Sequence, residues 1–212
     1  MDFMKQNNLR IAIQKEGRLR DESLKFLENF GLIVDGNFEG KLTVECKRLI
    51  DFPNLRVEIM FVRHKDVPQY VKANVADFGI VGSNVLYENG FDVKVVTELD
   101  FGKCDLVLAV PDKSFIRDLS DIQGERIATS YPNSLKRFLS QNNVSASIVE
   151  IAGSVEIAPK FGLADAICDL VKTGKTLSAN GLKPFLTIYK SRALLISSSV
   201  KSKTFGYEKI FS

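Results

Sequence analysis

Short apolar runs alternate with stretches of helical period along this chain. Residues 9–13 (LRIAI) predict a strand. Behind Asp21, Leu24, Leu27 and Phe30 recur at the i, i+3 spacing of one helix face, and Gly31 stands where that helix ends. Strands are predicted at residues 42–46 and 55–62. Asp66-Val67-Pro68 reads as a helix start with Pro in the first turn, and Val67, Val71 and Val75 form its apolar stripe. Residues 76–81 (ADFGIV) predict a buried strand, followed by a short helix that Ser83 caps and Gly90 ends.

The second half repeats this logic. Residues 104–110 (CDLVLAV) have the continuous apolar character of a strand buried on both faces. Strands are predicted at 126–129, 147–151, 164–171, 185–189 and 193–197. Helices are predicted from Pro132, around 154–161, and from near Leu177 to Gly181. Alternating strands and helices without a long linker predict an α/β fold with mixed, mainly parallel sheets. The alternation breaks at residues 97–103 (TELDFGK) and again after Leu182. Two breaks describe a chain that leaves one lobe, builds a second and returns. The expected lobes are 1–100 plus 184–212 and 101–183, with a cleft between them for a ligand.

Composition narrows the chemistry. The chain has 212 residues, of which 45% are hydrophobic and 26% charged, enough apolar surface to exclude a disordered state. No apolar run approaches the length of a membrane span, and the polar N-terminal residues contain no signal-peptide core. Three cysteines without a CxxC, and a single histidine, His64, argue against a disulfide framework, a zinc site and histidine catalysis. The cysteine usage fits the cytoplasm. A net charge of +3 argues against nucleic acid as a partner but permits a local anion pocket.

Residues 166–177 (AICDLVKTGKTL) carry the most chemistry. A hydrophobic strand ends in Asp169, then Lys172-Thr173-Gly174-Lys175-Thr176 form a loop before a helix. Gly174 lets the backbone approach an anion, loop amides and a helix N-terminus supply positive partial charge, and the two threonines offer hydroxyls. Asp169 is placed to accept hydrogen bonds from neighbouring sugar hydroxyls. A plain strand, Thr-capped turn and helix is the other reading. A nucleotide P-loop is excluded, because its first glycine falls where Asp169 stands and a carboxylate there repels phosphate. Lys15 and Arg18 follow the first strand at its carboxyl end, as phosphate ligands or as a solvated basic turn. Glu156 is either an ordinary charged helix position or a second acid facing the same cleft, and His64 reads as a surface residue.

Over residues 153–177, GSVEIAP, GLADAICDLV and TGKTL together resemble the ATP phosphoribosyltransferase family of histidine biosynthesis. QKEGRL at 14–19, VRHKDVP at 62–68, ADFGIVG at 76–82 and IATSYPN at 127–133 extend the resemblance in order over residues 9–199. The resemblance implies a two-lobed fold like type II periplasmic binding proteins. It implies transfer of phosphoribosyl from phosphoribosyl pyrophosphate (PRPP) to N1 of ATP, with Mg²⁺ as cofactor and no metal ligand assigned among the side chains. It implies that Glu156 and Asp169 hold the ribose hydroxyls and that Val171, Lys172, Thr173, Gly174, Lys175 and Thr176 bind the 5-phosphate. Lys15 and Arg18 are the implied catalytic contacts to substrate phosphates. Gly17, Tyr131, Pro132 and Asn133 are implied to line the ATP side. The resemblance is to the short form, which implies a homodimer and a regulatory subunit like histidyl-tRNA synthetase. Phe205, Tyr207 and Phe211 are candidate contacts to that subunit, with packing onto the first lobe as the alternative, and the chain without it is expected to be insensitive to histidine. A non-catalytic two-lobed binding module is the rival, sharing the fold without needing Asp169 beside the Thr-Gly-Lys-Thr loop.

Overall fold

The computed structural model describes residues 8–34, 38, 40–46, 55–199 and 210–211. The chain begins with β1 (Asn8–Gln14), α1 (Arg18–Glu28), β2 (Thr43–Glu45), β3 (Arg56–Val62), α2 (Val67–Lys72), β4 (Phe78–Gly82), α3 (Ser83–Asn89) and β5 (Val93–Glu98). It continues with β6 (Cys104–Pro111), β7 (Arg126–Thr129), α4 (Pro132–Gln141), β8 (Ser147–Glu150), β9 (Ala166–Val171), α5 (Lys175–Ala179), β10 (Leu182–Ser191) and β11 (Ala193–Ser198). Two compact units result. The first comprises residues 1–86, 90–102 and 192–212, the second 87–89 and 103–191.

In the first unit six strands lie in the order β2-β3-β1-β4-β11-β5. β1 is parallel to β3 and β4, while β2 and β11 run antiparallel to their neighbours. Leu9, Ile11 and Ile13 alternate onto one face of β1 and are fully buried with Leu27 of α1 and Phe78 and Ile80 of β4. Val67 and Val71 of α2 cover the other face, against Ala12 and Ile196. Gly79 is required there: a Cβ on it would stand 2.7 Å from Val67 and 2.9 Å from Val71. Phe211 packs into this unit, stacked on Phe26 and edge-on to Phe30 and Phe78. It is therefore a core contact rather than a free surface for a partner. Phe205 and Tyr207 lie outside the described residues.

In the second unit five strands lie in the order β10-β6-β9-β7-β8. β7 is parallel to β8 and β9, whereas β6 is antiparallel to both β9 and β10. Leu108, Ala109 and Val110 of the interior strand β6 are fully buried, as its apolar run requires. Both sheets are thus mixed, as expected of the fold class, with antiparallel pairings beside the parallel ones. Strands β10 and β11 return along the sheets by direct pairing, without the crossover helix that a parallel strand needs. β10 pairs with β6 from Leu182 to Ser191, so the second unit runs to Ser191 rather than ending at 183.

Three local readings also change. Ser83 is the first residue of α3 rather than its cap, and its Oγ accepts the Arg192 amide. The helix expected at 154–161 is two 3-10 turns, Val155–Ile157 and Pro159–Phe161. Pro159, which lacks an N–H, keeps them from merging into one helix, and Gly162, at φ +71, ends the second turn. β5 has no counterpart among the expected strands, because its edge position leaves a mixed sequence, VKVVTE.

Candidate functional site

The site in the second unit starts from the two-residue period of β9. Ala166 and Cys168 turn to the core under Leu135 and Leu139 of α4. Ile167 and Val171 turn to the opposite face, where Val155, Ala158 and Leu177 cover them. Asp169 shares this second face by its spacing. It stands at the carboxyl end of β9, where the apolar cover stops. The buried Val155 and Ala158 anchor the 3-10 turns and leave Glu156 between them at the rim. Ser154 enters that turn in the left-handed region, at φ 54 and ψ 41.

After β9 the chain turns at Gly174, whose φ of +72 favours glycine, and enters α5 at Lys175. The buried Leu177 fixes α5 to the sheet. Glu156, Asp169, Leu170, Val171, Lys172, Thr173, Gly174, Lys175, Thr176 and Leu177 together line one pocket of about 230 Å³. Every residue that the family resemblance gives to the phosphoribosyl group is in this lining. α5 has only five residues, so its dipole contributes little, and the positive side of the pocket is Lys172 and Lys175. No atom lies within 4 Å of the place a Cβ on Gly174 would take, so this face of the loop is open to a ligand.

Asp169 is the electrostatically unusual group. Burial pushes its pKa from the usual carboxylate range up to about 6, the Leu170 amide opposes that shift, and the negative charge of Glu156 adds to it. The carboxylate is held at a cost that a ligand offering hydroxyls or a cation would remove.

Tyr131 stands beside this acid. Burial, and next the charge of Asp169, hold its phenol above the usual tyrosine pKa, so it is a neutral donor. Thr129 Oγ1 ties the two segments together, donating to the Cys168 carbonyl at 2.7 Å and accepting the Tyr131 amide at 2.9 Å. Pro132 opens α4, and the amides of Asn133 and Ser134 donate to the two oxygens of the Glu88 carboxylate at 2.9 and 2.8 Å. The α4 N-terminus therefore holds an internal carboxylate. The Arg137 guanidinium lies over the Tyr87 ring, which stacks on Tyr189 with centroids 4.3 Å apart. Sequence reading missed Thr129 and Glu88: one looks like any strand residue, the other like any helix acid, and the partners Cys168 and Asn133 are far off in sequence.

Lys15, Gly17 and Arg18 belong to the first unit, at the carboxyl end of β1. Gly17 caps α1 at φ +83, Lys15 pairs with Glu16 at 2.9 Å, and Arg18 pairs with Glu22 at 2.8 Å. These side chains are exposed, and such pairs are exchangeable for substrate oxygens. The first unit also has an open groove of about 580 Å³. Its charged lining is Glu22, Lys25, Glu98 and Asp100, an excess of acid unsuited to phosphate. His64 is half-buried, and burial and Lys65 hold its pKa below the usual value. Among the described residues no three His, Cys, Asp or Glu side chains gather as a metal site, and no helix is long and apolar enough to cross a membrane.

Comparison with known proteins bears on this geometry. The profile of the ATP phosphoribosyltransferase family matches residues 63–211, which include the whole pocket. The ATP phosphoribosyltransferase of Cytophaga hutchinsonii is 46% identical over 187 residues, covering 88% of this chain. The match spans 63% of that relative's length. Among solved structures, the ATP phosphoribosyl transferase (HisG:HisZ) complex from Thermotoga maritima aligns at 31% identity and a TM-score of 0.76, over 95% of this chain and 93% of that one. The alkanesulfonate-binding protein SsuA from Xanthomonas axonopodis aligns at 19% identity and a TM-score of 0.57, over 96% of this chain and 69% of that one, and shares the fold alone. The fold is that of type II periplasmic binding proteins.

Proposed function

The chain belongs to the ATP phosphoribosyltransferase family, and on that footing we propose that it transfers the 5-phosphoribosyl group of PRPP to N1 of ATP, releasing pyrophosphate, in histidine biosynthesis. One observation carries the reading. Two carboxylates, two lysines and a glycine turn share a pocket inside the region of family match. Asp169 and Glu156 accept hydrogen bonds from the ribose hydroxyls. Lys172, Thr173, Gly174, Lys175 and Thr176 enclose the 5-phosphate, and Val171 borders it. Lys15 and Arg18 contact substrate phosphates, with Gly17 allowing close approach. Tyr131, Pro132 and Asn133 border the site from the α4 side.

The chemistry asks for little acid–base help. N1 of adenine is neutral and attacks with its lone pair, forming the N1–C1′ bond as the bond from C1′ to pyrophosphate breaks. Its lone pair carries no proton for a base to remove. The barrier lies in positive charge at C1′ and negative charge on the leaving group. Asp169 and Glu156 sit on the sugar side, and Arg18 and Lys15 balance phosphate charge. Magnesium suits the donor chemistry, because it takes one or two carboxylates together with substrate phosphates, and Asp169 and Glu156 are the oxygens that would face it. When bound, it supplies neutralisation of the departing pyrophosphate.

The Thermotoga match comes from a HisG:HisZ complex, which supports a regulatory subunit of that kind, resembling histidyl-tRNA synthetase, as a partner of this chain, and a homodimer of the chain is proposed beside it. Incubation with ATP, PRPP and Mg²⁺, with and without such a subunit, tests the reading. Phosphoribosyl-ATP and pyrophosphate are the expected products by mass spectrometry. Tight substrate binding without product in either mixture would instead favour the non-catalytic binding module.

A further inference from the structure

Thr129 is the last residue of β7, and its side chain is completely buried. β7 supports β9 only as far as the Thr129–Cys168 register, whereas β9 continues to Val171 against β6 alone. Asp169 is therefore the first residue of β9 beyond the reach of the β7 ladder. The final tie across this gap is a side chain. Thr129 Oγ1 donates to the Cys168 carbonyl, which belongs to the peptide unit leading into Asp169. The same oxygen accepts the amide of Tyr131, the residue before α4. Only a hydroxyl gives both contacts from one atom, since it is donor and acceptor together.

We infer that Thr129 is a positioning residue of the phosphoribosyl site. Its hydroxyl sets the peptide that aims Asp169 and locks that peptide to the turn carrying Tyr131. The inference rests on the reading of this pocket as a PRPP site. Thr129 touches no substrate and acts through Asp169. Geometry around a reacting centre is held by such fixed supports, and small displacements of the aiming group have large effects.

The test is calorimetric titration of PRPP with Mg²⁺ into the whole chain for five proteins: wild type, Thr129→Ser, Thr129→Val, Asp169→Asn and the Thr129→Val/Asp169→Asn double variant. Thr129→Val keeps the shape and loses both contacts, and is expected to weaken PRPP by about tenfold. Thr129→Ser keeps the hydroxyl and is expected to stay within about threefold of wild type. In the Asp169→Asn background the valine effect is expected to shrink to about twofold, the non-additivity of residues acting as one unit. Where the valine chain does not fold, Thr129→Ala is read in the same cycle. Additive losses, or wild-type affinity in the hydroxyl-free variant, overturn the positioning role and leave the PRPP reading intact. A wild-type chain that does not bind PRPP overturns both.

Discussion

Asp169 combines two requirements that oppose each other. Its side chain must be partly buried to face the pocket, and burial raises its pKa to about 6. The folded pKa lies above the ordinary value, so the folded state binds the proton more tightly than the unfolded chain. The stability that Asp169 contributes is present below pH 4 or so and is lost as pH rises through about 6. Function has the reverse sign, because an ionised carboxylate is the better acceptor for sugar hydroxyls. We expect kcat/KM for PRPP to fall below about pH 6 and the falling limb to vanish in Asp169→Asn, read from a pH–rate profile. At pH 7.5 the same variant is expected to lose about 1.5–3 kcal/mol of transition-state binding, roughly 10- to 150-fold in kcat/KM. Its melting temperature should be equal to wild type or higher, since a disfavoured charge has been removed. Unchanged kinetics in a folded Asp169→Asn chain would place the acid outside the site.

Two turns and one cap act at the scale of elements. Ser154 holds a left-handed conformation, at φ 54, immediately before the turn that carries Glu156. A non-glycine residue there costs about 1 kcal/mol. Ser154→Gly is expected to relieve that strain while loosening Glu156. Denaturant unfolding should show stability unchanged or slightly raised, and titration should show weaker PRPP binding. At Gly174, φ of +72 makes any side chain strained even though the space is open. Gly174→Val is expected to destabilise by about 1–2 kcal/mol and to lose PRPP affinity as well. Wild-type affinity for that variant, measured by calorimetry, would contradict the phosphate loop. The α4 N-terminus rests on Glu88, which takes two amides, one from the buried Ser134. Glu88→Ala leaves those donors without their acceptor and is expected to cost about 1–3 kcal/mol, with Glu88→Gln intermediate. Urea midpoints of the two variants check the order.

At the scale of the molecule, two units have separate cores, and every residue lining the proposed phosphoribosyl pocket belongs to the second. Phe211 completes an aromatic cluster of the first with Phe26, Phe30 and Phe78. Phe211→Ala is therefore expected to lower the melting temperature, at about 2–3 kcal/mol for the lost packing. Affinity for ribose 5-phosphate, which the proposed pocket would hold with residues of the second unit, should stay within about twofold of wild type. A parallel fall in that affinity would mean that the second unit depends on the first for its pocket.

Much of this was legible along the chain because the interactions concerned are local. A strand that ends in Asp169 and then turns at Gly174 reads off the two-residue period and a glycine, and the 166–177 segment contains nearly all of its own pocket. The double break in the alternation foretold a chain that leaves one unit and returns. Strand direction and partner choice were decided only in three dimensions. β10 and β11 pair antiparallel because they come back along existing sheets, and the side-chain pattern of the fully buried β11 does not distinguish it from a parallel strand buried on both faces. The supports of the site were equally hidden. Thr129 lies 39 residues from Cys168, and Glu88 lies 45 from Asn133. Their hydroxyl and carboxylate acquire a role only when folding brings a distant backbone group within hydrogen-bond reach.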